Sequence, residues 1–169
     1  MIQRHELPQA WPAPPLNIVL VEPEIPPNTG TIARLCAATG TRLHLVGPLG
    51  FRLTDSKLKR AGLDYWDGVD LVRHSDLDAC LTTVGAGRVY YLSTRGTVPY
   101  TDATFEAGDS LVFGSESRGL PESVLTAAPC RVLGIPIRAD RVRSLNLATA
   151  VAIVLYEALR QINQRMSPA

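Results

Sequence analysis

The stretch SLNLATAVAIVLYEAL, which begins at Ser144, sets a hydroxyl at Ser144, an amide at Asn146 and a hydroxyl at Thr149 against an otherwise apolar run. At the first turn of a helix such groups either accept hydrogen bonds from its unpaired N–H groups or face a site. Three more segments concentrate the same residue types: PEIPPNTG around Asn28, STRGT from Ser93, and GSESRGLP from Gly114. Glycines at 96, 114 and 119 let the chain turn tightly and let a ligand approach main-chain N–H and C=O groups. Taken singly, each is an ordinary turn glycine. Together they suit a flat, polar, mostly neutral ligand such as a nucleoside.

Other chemistries fail on spacing. Gly85-Ala86-Gly87 precedes a strand and has Tyr90 where a dinucleotide fingerprint needs its third glycine. GSESRG spaces Gly114 and Gly119 like a phosphate loop, but Leu120-Pro121 replaces the Lys-Ser/Thr pair. His5, His44 and His74 have no second ligand at metal spacing, so no metal is expected. There is no G-x-S-x-G elbow. Cys36, Cys80 and Cys130 are odd in number and widely spaced among apolar neighbours, which reads as buried thiols in a reducing compartment.

The elements that must position these loops follow from periodicity. LNIVLV (16–21) is a short apolar run rich in β-branched residues, the pattern of a strand buried on both faces. EPEIPPNTG reads as a loop, because Pro23, Pro26 and Pro27 oppose helix and central strand. TIARLCAATG follows as a helix stopped by Gly40, with Arg34 off its apolar face. RLHLVG, GVDLVRH, RVYYLST, SLVFG and RVLGIPI read as further strands. DSKLKRAGL, SDLDACLTTVG capped by Ser75, and PESVLTAA with Pro121 at its first position read as helices between them. Strands thus alternate with helices about six times, which implies an α/β protein with a mostly parallel sheet covered on both faces. Ligands in such folds sit beyond the carboxyl ends of the strands, where the four unusual loops fall.

Composition bounds the rest. With 46% apolar and 20% charged residues, 169 residues suffice for one domain with a sizeable core. The apolar run from Ala148 to Leu155 is far short of the roughly 20 residues that cross a bilayer. Neither a membrane span nor an apolar leader is expected, and the expected compartment is the cytoplasm. A net charge of +1 opposes nucleic-acid binding by bulk charge. Local clusters at Lys57, Lys59 and Arg60, and at Arg138, Arg141 and Arg143, could still meet phosphates.

Three motifs, EPEIPPNTGTIARLCAATG, LVFGSESRGLP and IPIRADRVRSLNLATAVAIVLYE, resemble the SPOUT superfamily of S-adenosylmethionine-dependent RNA methyltransferases. The resemblance runs from about Leu16 to Gln164. With RAGLDYW and STRGT, it is closest to the tRNA 2′-O-methyltransferases of the wobble nucleotide, cytidine or uridine 34. It implies a single SPOUT domain over 16–165 with a C-terminal trefoil knot, an exception to the rule that chains do not knot, preceded by a proline-rich extension over 1–15. It also implies a homodimer with the active site formed across it, S-adenosylmethionine as cofactor, and the tRNA anticodon stem-loop as partner.

Carried over by position, the resemblance assigns the cofactor to Leu92, Thr94, Gly96, Gly114, Glu116, Gly119, Ile135, Ser144, Leu145 and Asn146. Catalysis is assigned to Arg34, Asn28, Ser144 and Asn146. Arg34 is too basic for an ordinary base, its pKa lying above about 12, so it is expected to clamp an RNA phosphate and polarise the hydroxyl. Asn28 and Glu116 are expected to hold the motif loops and the ribose. Two rivals stand beside this reading: methylation of another tRNA or ribosomal RNA site, and a silent RNA-binding dimer that keeps only the fold.

Overall fold

In a computed structural model, which describes residues 6–54, Ser56 and 68–166, seven strands form one sheet in the order β3-β2-β1-β6-β4-β7-β5. The strands are β1 (Asn17–Val21), β2 (Arg42–Val46), β3 (Leu71–His74), β4 (Val89–Leu92), β5 (Val98–Pro99), β6 (Ser110–Phe113) and β7 (Val132–Gly134), and every pairing is parallel. The helices are α1 (Pro26–Thr39), α2 (Leu77–Thr83), α3 (Glu122–Ala127) and α4 (Leu147–Met166). The helix expected over 55–63, its Lys57, Lys59 and Arg60, and the segment RAGLDYW lie outside the described residues, Ser56 excepted.

Period-two alternation divides the sheet between two cores. Ile18, Leu20, Leu43, Leu45, Leu111 and Phe113 point to one face, where Ile32 and Cys36 of α1 and Val151, Val154 and Leu155 of α4 cover them. Val19, Val21, Val46 and Val112 point to the other, beneath Cys80 of α2 and Leu125 of α3. Both faces are therefore dry, which is why the central strands read as continuous apolar runs.

Several expectations need correction. The first helix starts five residues earlier than expected, at Pro26. Proline lacks only an N–H that the first turn leaves unpaired anyway, so Pro26 and Pro27 open the helix instead of forbidding it. Asp76, not Ser75, caps α2: its carboxylate accepts from the Ala79 N–H at 2.9 Å, and the Ser75 hydroxyl donates to that carboxylate. Pro121 sits one residue before α3. The short β5 escaped notice, and its Pro99 is tolerated because it lies on the sheet edge. Cys130 is exposed, whereas Cys36 and Cys80 are buried as expected. The proline-rich lead-in is anchored where it is described, since the Ala10 N–H donates to Asn163 Oδ1 of α4 at 2.8 Å.

A polar chain crosses β1, β2 and β3 on the α2 face. Asn17 Nδ2 donates to the Gly108 carbonyl, so its Oδ1 is left to accept from His44 Nε2 at 3.1 Å. His44 Nδ1 then lies 2.9 Å from His74 Nε2. Burial pushes His44 down to about 4 and also lowers His74. A depressed folded pKa means that the unfolded chain takes up the proton first. The stability from these groups is complete above 6.5 and is lost as pH falls toward about 4. Thermal stability should therefore fall steadily across that window; a flat profile down to the carboxylate range would refute the assignment.

Candidate functional site

A cleft of about 510 Å³ opens beyond the carboxyl ends of β4, β6 and β7. Three loops wall it: 92–95 after β4, 113–120 after β6, and the segment from Ile135 to the start of α4. Leu92, Leu133, Ile135, Ile137, Leu145 and Leu147 give it apolar walls. Arg95, Arg118 and Arg143 place three cations along its lining. The volume lies within the range of about 300–1,000 Å³ usual for small-molecule sites.

The loop after β6 folds back on itself. Ser115 and Gly119 form an isolated antiparallel bridge, with the Gly119 N–H donating to the Ser115 carbonyl at 2.9 Å. Gly119 has φ +67°, in the left-handed region that glycine enters freely. A Cβ on Gly114 would overlap the backbone of Gly119 and Leu120, so the turn closes only because residue 114 has no side chain.

Two glutamates lock this loop to the start of α1. The Glu116 carboxylate accepts from the Glu24 N–H at 2.8 Å, the Ile25 N–H at 3.2 Å and Asn28 Nδ2 at 3.1 Å. In return, Glu24 accepts from the Ser117 N–H at 3.0 Å and its hydroxyl at 2.7 Å. The Ser117 hydroxyl, helped by the Ser117 N–H and by Arg118, holds the Glu24 carboxyl below its usual value of 4.5. A depressed carboxylate contributes stability above 4.5 that is lost as pH falls through its folded value. Glu24→Gln should thus flatten the acid limb of the unfolding profile, and an unchanged limb would refute the lock.

Asn146 closes the circuit. Its Nδ2 donates to Asn28 Oδ1 at 2.9 Å, and its Oδ1 accepts from the Thr149 N–H at 3.2 Å. The amide therefore caps α4 and also faces the site, joining segments 118 residues apart. Ser144 lines the cleft two residues before that cap.

Most residues singled out from the sequence meet here. Asn28, Leu92, Thr94, Gly114, Glu116, Gly119, Ile135, Ser144, Leu145 and Asn146 all line the cleft. Gly96 does not. Its missing side chain makes room for the backbone of Leu133 and Gly134, where β5 pairs with β7. Arg34 also stands outside the cleft lining, on the exposed side of α1 with Pro27, Thr31 and Ala38. Glu24 and Ile25 were missed; the signal was an acidic residue set among prolines beside a glycine-rich partner loop.

The family model for the SpoU rRNA Methylase family matches residues 15–156. The chain belongs to the SpoU methylase family. It is similar to the Escherichia coli K12 tRNA (cytidine(34)-2′-O)-methyltransferase, with 50% identity over 148 residues, 87% of this chain and 94% of that one. A protein of the same description from Methylovorus glucosotrophus is 49% identical over 86% of this chain and 94% of its own. Among solved structures, one described as giving insights into the 2-OH methylation of C/U34 on tRNA superposes with a TM-score of 0.81. It is 52% identical and covers 86% of this chain and 95% of its own. An AdoMet-bound rRNA methyltransferase from Sinorhizobium meliloti, 29% identical, superposes with a TM-score of 0.76 over 86% of this chain and 56% of its own. That relative carries the cofactor that the sequence motifs imply.

Proposed function

We propose that this chain methylates the ribose 2′-oxygen of the wobble nucleotide of tRNA, position 34, a cytidine or modified uridine, using S-adenosylmethionine. The observation that carries the proposal is the cleft itself, in which three loops are held by the Glu116–Asn28–Asn146 chain of hydrogen bonds. The residues present fit the cofactor. Leu92, Ile135 and Leu145 offer apolar surface to a base, and the turn at 114–119 brings main chain close to the cleft. When bound there, the cofactor supplies a methyl group already activated by its sulfonium.

What the protein must add is alignment and removal of one proton, because a ribose 2′-hydroxyl is a poor nucleophile. Asn28 and Glu116 hold the walls at fixed separation, and Ser144 presents a hydroxyl to the ribose side. Arg34 clamps a backbone phosphate and polarises the 2′-hydroxyl. Arg138 and Arg141, exposed beside Asp140, meet further phosphates. The test is transfer of labelled methyl from S-adenosylmethionine to total RNA, followed by mapping of the modified ribose. Label at position 34 of tRNA is expected; label in ribosomal RNA, or none, would overturn the reading.

We also assign the chain to a homodimer with a trefoil-knotted C-terminal part, divided into a lead-in over 1–15 and a catalytic domain over 16–165. The return of Asn146 to Asn28 and the insertion of β6 between β1 and β4 support the knot. Val151, Val154 and Leu155 are fully buried within this chain, so the apolar surplus of α4 is consumed by its own core. The outward stripe is Thr149, Ala152, Ile153 and Tyr156, with Tyr156 53% exposed. Tyr156→Glu should yield monomers by sedimentation, and a wild-type protein monomeric at micromolar concentration would remove the dimer. A cytoplasmic setting agrees with the finding that no described helix is long and apolar enough to cross a membrane.

Asn146→Ala separates capping from catalysis. Loss of the cap should cost about 1 kcal/mol, roughly 2–4 °C in unfolding midpoint. The same change leaves Asn28 Oδ1 without its donor, so cofactor affinity should fall by more than about ten-fold. Normal binding with only the small stability loss would make Asn146 a cap and nothing more.

A further inference from the structure

The geometry points to a Zn²⁺ site made by His44 of β2, His74 of β3 and Cys80 of α2, away from the cleft. Residues 44 and 74 are 30 apart in sequence, and Cys80 follows six residues after His74, so no ligand spacing announces the set. The fold assembles it. Val19 aligns with His44 and Val46 with His74 in parallel register, so both imidazoles share the face of Val19 and Val46. Cys80 approaches that same face from α2. One donor atom from each of the three lies within 4.8 Å of the others, and this is the sole such cluster among the described residues. None of the three lines the cleft.

The tautomer of His44 is fixed by its neighbour. Asn17 Oδ1 can only accept, so His44 carries its proton on Nε2 and turns the Nδ1 lone pair toward His74. This is the outer-shell arrangement that orients metal-bound histidines, whose second nitrogen donates to a fixed acceptor. His74 Nε2 sits 2.9 Å away, where it shares one proton with His44. A zinc ion with Zn–N of about 2.0–2.1 Å needs the two nitrogens roughly 3.3 Å apart. Opening the pair by about 0.4 Å is a small rotation of the half-buried His74. Two imidazoles and one thiolate form a borderline-soft donor set that suits Zn²⁺ over Mg²⁺ or Ca²⁺. Three protein ligands leave a fourth position that water would fill.

The protons balance simply. His74 moves its proton from Nε2 to Nδ1, and the Cys80 thiol gives one up to solvent. Each ion bound therefore releases one proton, and affinity rises with pH. The site ties β2, β3 and α2 together at one side of the sheet, so the ion should stabilise the fold and leave methyl transfer unchanged.

The test uses the tag-free full chain, kept reduced, stripped with chelator and titrated with Co²⁺ and then Zn²⁺. One Co²⁺ per chain is expected, with a thiolate-to-cobalt charge-transfer band that Zn²⁺ abolishes. Zn²⁺ alone should raise the unfolding midpoint of the wild-type chain. Cys80→Ser should lose the charge-transfer band, and His74→Ala should weaken binding at least ten-fold. Absence of saturable binding at micromolar metal, with no shift in the wild-type midpoint, overturns the site even if a variant fails to fold. So does a titration that Cys80→Ser leaves unchanged, since the ion would then be adventitious.

Discussion

Arg34→Ala should keep cofactor affinity within about two-fold while cutting methyl transfer to tRNA by at least about 100-fold, the scale of losing one charge-stabilising donor. The separation follows from position. Arg34 projects from the exposed side of α1, one turn beyond Thr31, and no cofactor-loop residue lies on that stripe. In the function proposed above, it would act on RNA without holding the cofactor. Arg34→Lys should rescue poorly, because an ammonium point charge does not reproduce the planar two-pronged contact of guanidinium with phosphate. Calorimetric titration of S-adenosylmethionine beside transfer of labelled methyl measures both halves. Wild-type turnover by the Ala variant refutes the role. Loss of both cofactor binding and turnover would make Arg34 structural.

Gly114→Ala should abolish cofactor binding by at least about 100-fold, an effect out of proportion to one methyl group. The added carbon has nowhere to go, because it meets the backbone of Gly119 and Leu120 and no flexible side chain. Relief requires breaking the Ser115–Gly119 bridge, which displaces Glu116 from Glu24, Ile25 and Asn28. Gly68→Ala is the control, since a Cβ there meets nothing within 4 Å. Both variants are compared by cofactor titration and by unfolding midpoint. Tight binding by Gly114→Ala would show that the turn does not shape the site.

How far the sequence led depends on the kind of information each feature needs. Ile18, Leu20 and their partners were legible because burial on both faces leaves an unbroken apolar run. The cleft loops were legible because glycine, serine and asparagine cluster after strands. The start of α1 was misjudged because Pro26 and Pro27 break helix interiors yet open first turns, and composition does not distinguish the two places. The close packing of Gly96 on β7 was not legible for a similar reason: a glycine admits close approach, but only the fold shows that the backbone of Leu133 and Gly134 lies against it. The meeting of His44, His74 and Cys80 was invisible, since strand pairing and helix docking set it and neither leaves a local signature.

The hydrogen bond from Asn146 to Asn28 spans 118 residues, which bears on when the cleft can form during synthesis. Parallel strands and contacts between distant segments form late, because loop closure must precede the interactions that reward it. During synthesis, about the first four-fifths of the chain can emerge while the cleft still lacks its third wall, which begins at Ile135. A nascent or prematurely terminated chain ending before Asn146 would lack both the third wall and the cover that α4 gives one face of the sheet, and so have no competent site. Binding of S-adenosylmethionine to the proposed site should therefore distinguish finished molecules from unfinished ones and serve as a read-out of completed folding on the ribosome.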